Sequence, residues 1–221
     1  MADEFEGDFG EEQKKMQAFL TSPEWKRTTA QGWGVNRAET AEIFTANQMY
    51  IRKFPDRAAS LLGKLHCQHY GLPSFGKRLA AATREFVPFT GDPAGWFAQN
   101  GRFTDFSGKT IELPERTFAT HTSGKYTAAR VPLLDVIAEV LRQPDEVWLN
   151  NYDGKAFDCL NYIRFYRDKA INVVCRIENG KTLAVRTWFE IAIRPTTRSG
   201  GKIAPEKDPR LKYRRGLLVK K

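Results

Sequence analysis

The run Ile171-Asn-Val-Val-Cys-Arg-Ile-Glu-Asn-Gly-Lys-Thr-Leu-Ala-Val-Arg-Thr-Trp-Phe-Glu-Ile-Ala-Ile193 decides the fold class. Two stretches rich in β-branched and aromatic residues flank Asn179-Gly180, a dipeptide that tolerates the two positive φ angles of a type I′ turn. The run therefore predicts an antiparallel hairpin of residues 171–177 with 182–193. A two-residue loop sets its register, with Glu178 opposite Lys181, Val174 opposite Val185 and Asn172 opposite Thr187. Alternation then places Leu183, Val185, Thr187, Phe189 and Ile191 on one face. Val173, Cys175, Arg186, Trp188 and Glu190 fall on the other. A face with so few charges must be covered by another layer.

Working outward, Glu146–Asn150 and Cys159–Tyr166 read as further strands, and residues 103–113 as two short strands joined at Ser107-Gly108. Residues 131–143 predict the clearest helix. Pro132 suits its first turn, Pro144 ends it, and Leu134, Ile137, Ala138 and Leu141 form one apolar face. Nearer the N-terminus the pattern is helical: 38–54 stopped by Pro55, 56–70 ended by Gly71 and Pro73, and 75–86 ending before Pro88. The expected organisation is an acidic flexible arm over 1–20, a helical N-terminal domain over 21–95, and a third unit over 96–221. The fold class is α+β, a mainly helical N-terminal segment followed by a small antiparallel sheet packed on a helix.

The balance of 35 Lys and Arg against 26 Asp and Glu gives a net charge of +9, which favours a polyanionic partner. The charge is unevenly spread. Asp3, Glu4, Glu6, Asp8, Glu11 and Glu12 crowd the start, while Arg194, Arg198, Lys202, Lys207, Arg210, Lys212, Arg214, Arg215, Lys220 and Lys221 crowd the end. That basic tail reads equally as a polyanion contact or as a solvated tail. No window holds eighteen uninterrupted apolar residues, so no membrane span is expected. The first fifteen residues lack the apolar core of a secretory signal. Cys67, Cys159 and Cys175 are odd in number and form no C-x-x-C pair, which points to reduced thiols and a cytoplasmic setting. His66, Cys67 and His69 have no second cluster to complete a four-ligand zinc site, so neither metal nor small-molecule cofactor is expected.

The segment Thr120-His-Thr-Ser-Gly-Lys-Tyr-Thr-Ala-Ala-Arg130 carries candidate chemistry. His121 exchanges a proton near neutral pH, and Lys125 and Arg130 suit a nearby phosphate. Gly124-Lys125 is not a nucleotide-binding loop, since Tyr126 follows and the earlier glycine is missing. Tyr162, Arg164 and Tyr166 alternate onto one strand face, where Tyr162 suits base stacking and Arg164 an RNA phosphate. Tyr166 reads as an ordinary strand aromatic.

Several stretches recur in an order that resembles a known family: Asp105-Phe-Ser-Gly-Lys-Thr-Ile-Glu-Leu-Pro114, Phe118-Ala-Thr-His121, Arg130-Val-Pro-Leu-Leu134 and Gln143-Pro-Asp-Glu-Val-Trp148. Tyr162-Ile-Arg164, Val185-Arg-Thr-Trp-Phe189 and Arg215-Gly-Leu-Leu218 continue it. The pattern looks like the phage-type branch of the barnase–EndoU–colicin–RelE nucleases, over roughly the last 120 residues. Domains of this kind end Mu-type phage head-morphogenesis proteins and bacterial polymorphic toxins.

The resemblance implies a barnase/RelE-like fold and a metal-independent ribonuclease, in which the ribose 2′-hydroxyl attacks its own phosphate. Such chemistry needs an acid, a base and a cation for the charged transition state. On matching positions His121 becomes the acid or base and Arg130 the phosphate clamp. Thr187 donates a hydrogen bond to a phosphoryl oxygen, with Arg186 in its place if a bulge shifts the register. Thr187 shares its expected face with apolar residues, so a buried Thr187–Asn172 pair stands beside the functional reading. RNA, tRNA among the candidates, is the implied substrate, and an acidic immunity protein the implied partner of a toxin. A non-catalytic nucleic-acid-binding or phage head-assembly protein is the alternative.

Overall fold

The computed structural model describes residues 67, 70–150, 159–178, 182–191, 210, 213–214 and 217–221. The expected acidic arm, the helix over 38–54, nearly all of that over 56–70, the Asn179-Gly180 turn, and His66 and His69 lie outside the described residues.

Five α-helices are described: α1 Phe75–Ala81, α2 Pro93–Gln99, α3 Glu115–Thr122, α4 Thr127–Arg130 and α5 Val136–Arg142. Seven strands accompany them: β1 Arg102–Thr104, β2 Thr110–Glu112, β3 Glu146–Asn150, β4 Cys159–Tyr166, β5 Lys169–Glu178, β6 Thr182–Ile191 and β7 Leu217–Lys220. They form one sheet in the order β1-β2-β6-β5-β4-β3-β7. The class is α+β, but the sheet is larger than expected and mixed. β2 runs parallel to β6, with Ile111 opposite Leu183, and both side chains are sealed in the same core.

The β1–β2 turn shows why Asp105-Phe-Ser-Gly-Lys109 reads as it does. One Asp105 carboxylate oxygen accepts from the Ser107 amide at 2.8 Å, the Ser107 hydroxyl at 2.8 Å and the Lys109 amide at 2.9 Å. Gly108 sits at φ 85°, a left-handed conformation that costs glycine little. The other oxygen accepts from the Tyr162 hydroxyl at 2.9 Å, tying the turn to β4.

The hairpin forms, but not in the two-residue register. Glu178 pairs with Thr182 and Cys175 with Val185; then the pairing slips, so that Val174 meets Thr187 and Asn172 meets Phe189. Arg186 is the extra residue of this bulge. It breaks the alternation: Leu183 and Val185 face the helices, and beyond the bulge Trp188 takes that side while Phe189 and Ile191 turn to the opposite face. Asn172 therefore donates to Asn161 at 2.9 Å, and the expected Thr187–Asn172 pair is not made.

The helix expected over 131–143 is also interrupted. Val131–Leu133 form a single 3₁₀ turn and the α-helix begins only at Val136. Its apolar face, with Ile137, Val140 and Leu141 buried, packs on β4 and β5 together with Trp96 and Phe118. Trp96 donates to Asp135 at 2.9 Å.

The opposite face is finished differently. Phe75 of α1 packs on Phe165 with ring centres 5.2 Å apart, and Tyr70 meets Trp148 at 5.6 Å. Beneath them the buried Glu146 carboxylate accepts from Arg214 at 2.8 and 2.7 Å, from Arg78 at 3.2 Å and from Trp148 at 3.0 Å. Arg214 belongs to the basic tail, yet it is fully buried. A carboxylate in such a place needs a cation, and removing one partner of such a pair costs about 3–5 kcal/mol. The solvated-tail reading fails at this residue. Further contacts come from the segment before α2: Arg167, in the β4–β5 turn, donates its amide to the Arg84 carbonyl at 2.6 Å, and Phe89 donates to the Pro132 carbonyl at 2.9 Å.

Candidate nuclease site

His121 stands in the last turn of α3. The helix escapes notice in the sequence because Glu-Arg-Thr-Phe-Ala-Thr-His-Thr carries three β-branched threonines and buries only Phe118. The ring Nδ1 lies 2.8 Å from the Thr117 carbonyl oxygen. A carbonyl only accepts, so Nδ1 carries the hydrogen and the neutral ring presents its lone pair at Nε2. Burial lowers the His121 pKa below the ordinary imidazole value; the Thr117 hydrogen bond opposes this and the Arg130 charge adds to it. The net effect favours the neutral imidazole, which is the basic form.

The ring packs on Trp188, centre to centre 5.1 Å, and on Tyr126 at 5.9 Å. Trp188 joins His121 to Arg130. Its indole nitrogen donates to the Arg130 carbonyl at 3.0 Å, and the Arg130 guanidinium donates back to the Trp188 carbonyl. β2 covers β6 only at Leu183 and Ala184, which leaves the Trp188 end of that edge to Arg130.

Arg130 and Thr187 line one open cleft of about 540 Å³, with Phe86, Lys169, Phe189 and Tyr213 among its walls. The Arg130 guanidinium lies 5.2 Å from the Phe189 ring centre, and Phe189 meets Tyr213 at 5.2 Å. Burial raises the Tyr213 pKa while the Arg130 charge lowers it, so the phenol is protonated and near that cation. Lys169 is held by Glu190 at 3.0 Å and lies over Phe86. Neither His121 nor the fully buried Trp188 lines this cleft; the ring is linked to it by way of Trp188 and then Arg130.

The remaining candidates are dispersed. Tyr162 is fully buried with its hydroxyl on Asp105, so no base can stack on it. Arg164 is 4% exposed; it donates to Glu139 at 2.7 Å and to the Gln143 carbonyl, which makes it a structural cation, not a surface contact. Lys125 is exposed, its ammonium 5.1 Å from the Tyr126 ring centre. Arg186, half-buried at the bulge, lines another cleft with Arg116 and Arg176. Thr187, not Arg186, reaches the Arg130 cleft, although the bulge anticipated for the swap is there. Among the described residues no three His, Cys, Asp or Glu side chains stand together as a metal site, and no helix is long and apolar enough to cross a membrane. Cys67 is buried against the Arg214 carbonyl, and burial pushes its thiol up to about 11.

Trp188, Phe189 and Tyr213 were missed as site residues. The first two stood in the quoted run, where alternation gave each a strand face but no role. Tyr213 lies in the tail with no local pattern, and only the fold brings it to β6.

Residues 85–219, well over half of the chain, match the family described as phage-Barnase-EndoU-ColicinE5/D-RelE like nuclease 2. The chain belongs to this family. The match spans α2 to β7 and every candidate site residue named above. No curated protein and no solved structure matches the chain. In this chain the quoted motifs divide by place: Asp105, Asp145 and Glu146 hold turns and strands together, whereas His121, Arg130 and Thr187 gather around β6.

Proposed function

We propose that the chain is a metal-independent ribonuclease that cleaves by attack of the 2′-hydroxyl. The observation that carries this reading is the His121 ring, fixed by Thr117 with Nε2 unprotonated and coupled through Trp188 to Arg130. In this scheme Nε2 takes the proton of the 2′-hydroxyl, whose oxygen bonds to phosphorus. The 5′-oxygen leaves and takes a proton from water, giving a 2′,3′-cyclic phosphate and a 5′-hydroxyl end. Arg130 offsets the charge that develops on the phosphoryl oxygens, and the Thr187 hydroxyl donates to one of them. Phe189 and Tyr213 offer ring faces to a base beside them.

A toxin role in the bacterial cytoplasm fits such a domain, with tRNA or another RNA of translation as substrate. An acidic immunity protein is then the partner, because complementary charge speeds capture of a basic surface. The alternative is a non-catalytic nucleic-acid-binding or head-assembly protein, and one observation favours it: His121 does not line the Arg130 cleft.

Incubation with total RNA in EDTA separates the two. Cleavage with cyclic-phosphate ends is expected, slowed roughly 10²–10⁴-fold by His121→Ala, the usual worth of a positioned base. RNA bound but uncut supports the alternative; cleavage abolished by EDTA and restored by magnesium refutes the mechanism.

A further inference from the structure

A second cleft, of about 440 Å³, shares no lining residue with the first. Six cations line it, Arg78, Arg84, Arg142, Arg164, Lys220 and Lys221, against one carboxylate, Asp145. Three of the six are held by acids. Arg164 is held by Glu139 at 2.7 Å, Arg84 by Asp145 at 2.8 Å, and Arg78 shares Glu146 with Arg214. The others are placed without neutralisation by these acids. The Lys220 ammonium donates to the Pro144 carbonyl at 2.6 Å, which orients the group and leaves its charge. Lys221 donates in the same way to the Tyr70 carbonyl at 3.2 Å. Arg142 projects exposed from the last turn of α5.

Like charges gathered in a concavity repel one another and concentrate anions there. An aromatic stands among them: Phe106, half-buried, with the Lys220 ammonium 5.9 Å from its ring centre. Cations arranged around a ring suit a phosphate chain with a base to stack, more than a compact anion. Continuity supports the same occupant. Arg84 lines this cleft and Phe86 lines the Arg130 cleft, separated by at most about 7 Å of chain. A strand lying in one cleft has the other within reach.

We infer that this second cleft binds the phosphodiester backbone of a single RNA strand, outside the nucleotides held at Arg130. The inference rests on the proposed ribonuclease reading for its choice of RNA. The test uses the full chain and a fluorescent 2′-O-methyl oligouridine of twenty nucleotides, which has phosphates but no hydroxyl to attack. Each phosphate contact adds ~0.7 to the slope of log affinity against log salt. Arg142→Ala combined with Lys220→Ala should flatten that slope by about 1.4, and the exposed Arg142→Ala alone by about 0.7. Lys77→Ala with Arg102→Ala, two exposed cations outside the cleft's lining, should leave it as it is.

An unchanged slope in the cleft variants overturns the inference, as does an equal change in the control pair, which indicates diffuse attraction. An unchanged RNA slope with loss of polyglutamate binding overturns it in favour of an acidic protein partner. Because the probe cannot be cut, a chain that leaves RNA intact but shows the flattened slope loses the ribonuclease reading and keeps this cleft.

Discussion

Arg130 and Arg164 both end on a backbone carbonyl, the first on that of Trp188 and the second on that of Gln143. They part at the next contact. Arg164 meets the Glu139 carboxylate, Tyr166 donates to the other oxygen of that carboxylate at 3.1 Å, and the arginine is nearly buried. Arg130 lies over the Phe189 ring on the wall of an open cleft. A cation matched by a carboxylate and sealed has little field left for a phosphate. One set against a carbonyl and a ring face on the wall of an open cleft stands where an arriving anion meets it. The sequence offered both as RNA contacts; the packing gives them different work.

The widest separation between them should appear in kinetics. Arg130→Ala is expected to lower kcat for RNA cleavage by roughly 10²–10³-fold, the usual cost of losing one transition-state donor. A rate within twofold of the original would place Arg130 with Arg164 as structure.

Arg164→Ala should register first in stability. Hydrogen bonds to a charged group contribute about 1.5–3 kcal/mol, and Glu139, 42% exposed, regains water when the arginine goes. Urea unfolding should therefore show a loss of about 2 kcal/mol, below the cost of severing a fully buried ion pair. An unmoved midpoint with weakened RNA binding would return Arg164 to the interface.

The smallest effect sharpens the Arg130 side. His121 acts as a base only when neutral, so kcat/KM should hold at neutral pH and fall on acidification, through a pKa below the imidazole's ordinary one. Arg130 is one of the two causes that lower it, burial being the larger. In Arg130→Ala the acid limb should therefore move toward higher pH. An acid limb unmoved by the substitution would show that the guanidinium does not act on the ring.

What could be read in the sequence was local. Asp105-Phe-Ser-Gly-Lys109 encodes its own turn, since the carboxylate, the hydroxyl and the left-handed glycine are within four residues. β3 and β4 followed from strand-forming residues between turn signals, at the bounds expected. Two-sided questions were not legible. Alternation placed Tyr162 and Arg164 on one face of β4, but it does not say what lies over that face. Helix α5 lies there, and Glu139 on it turns Arg164 inward.

Sequence by itself thus determined the α+β class, the strands from β1 to β6 but not the edge strand β7, the nuclease family's motifs and the pairing of His121 with Arg130 as candidates. Their chemistry was present in side chains only a few residues apart along the chain. Tertiary structure alone decided the bulge at Arg186, which lets Trp188 enter the helix-side core while Thr187 stays on the cleft. It also decided the burial of Arg214 against Glu146, sixty-eight positions away, and the arrival of Tyr213 beside Phe189. The physical reason is the same each time. A bulge, a buried ion pair or a cleft wall is stabilised by partners distant in the chain, and no local pattern records which partner packing will bring.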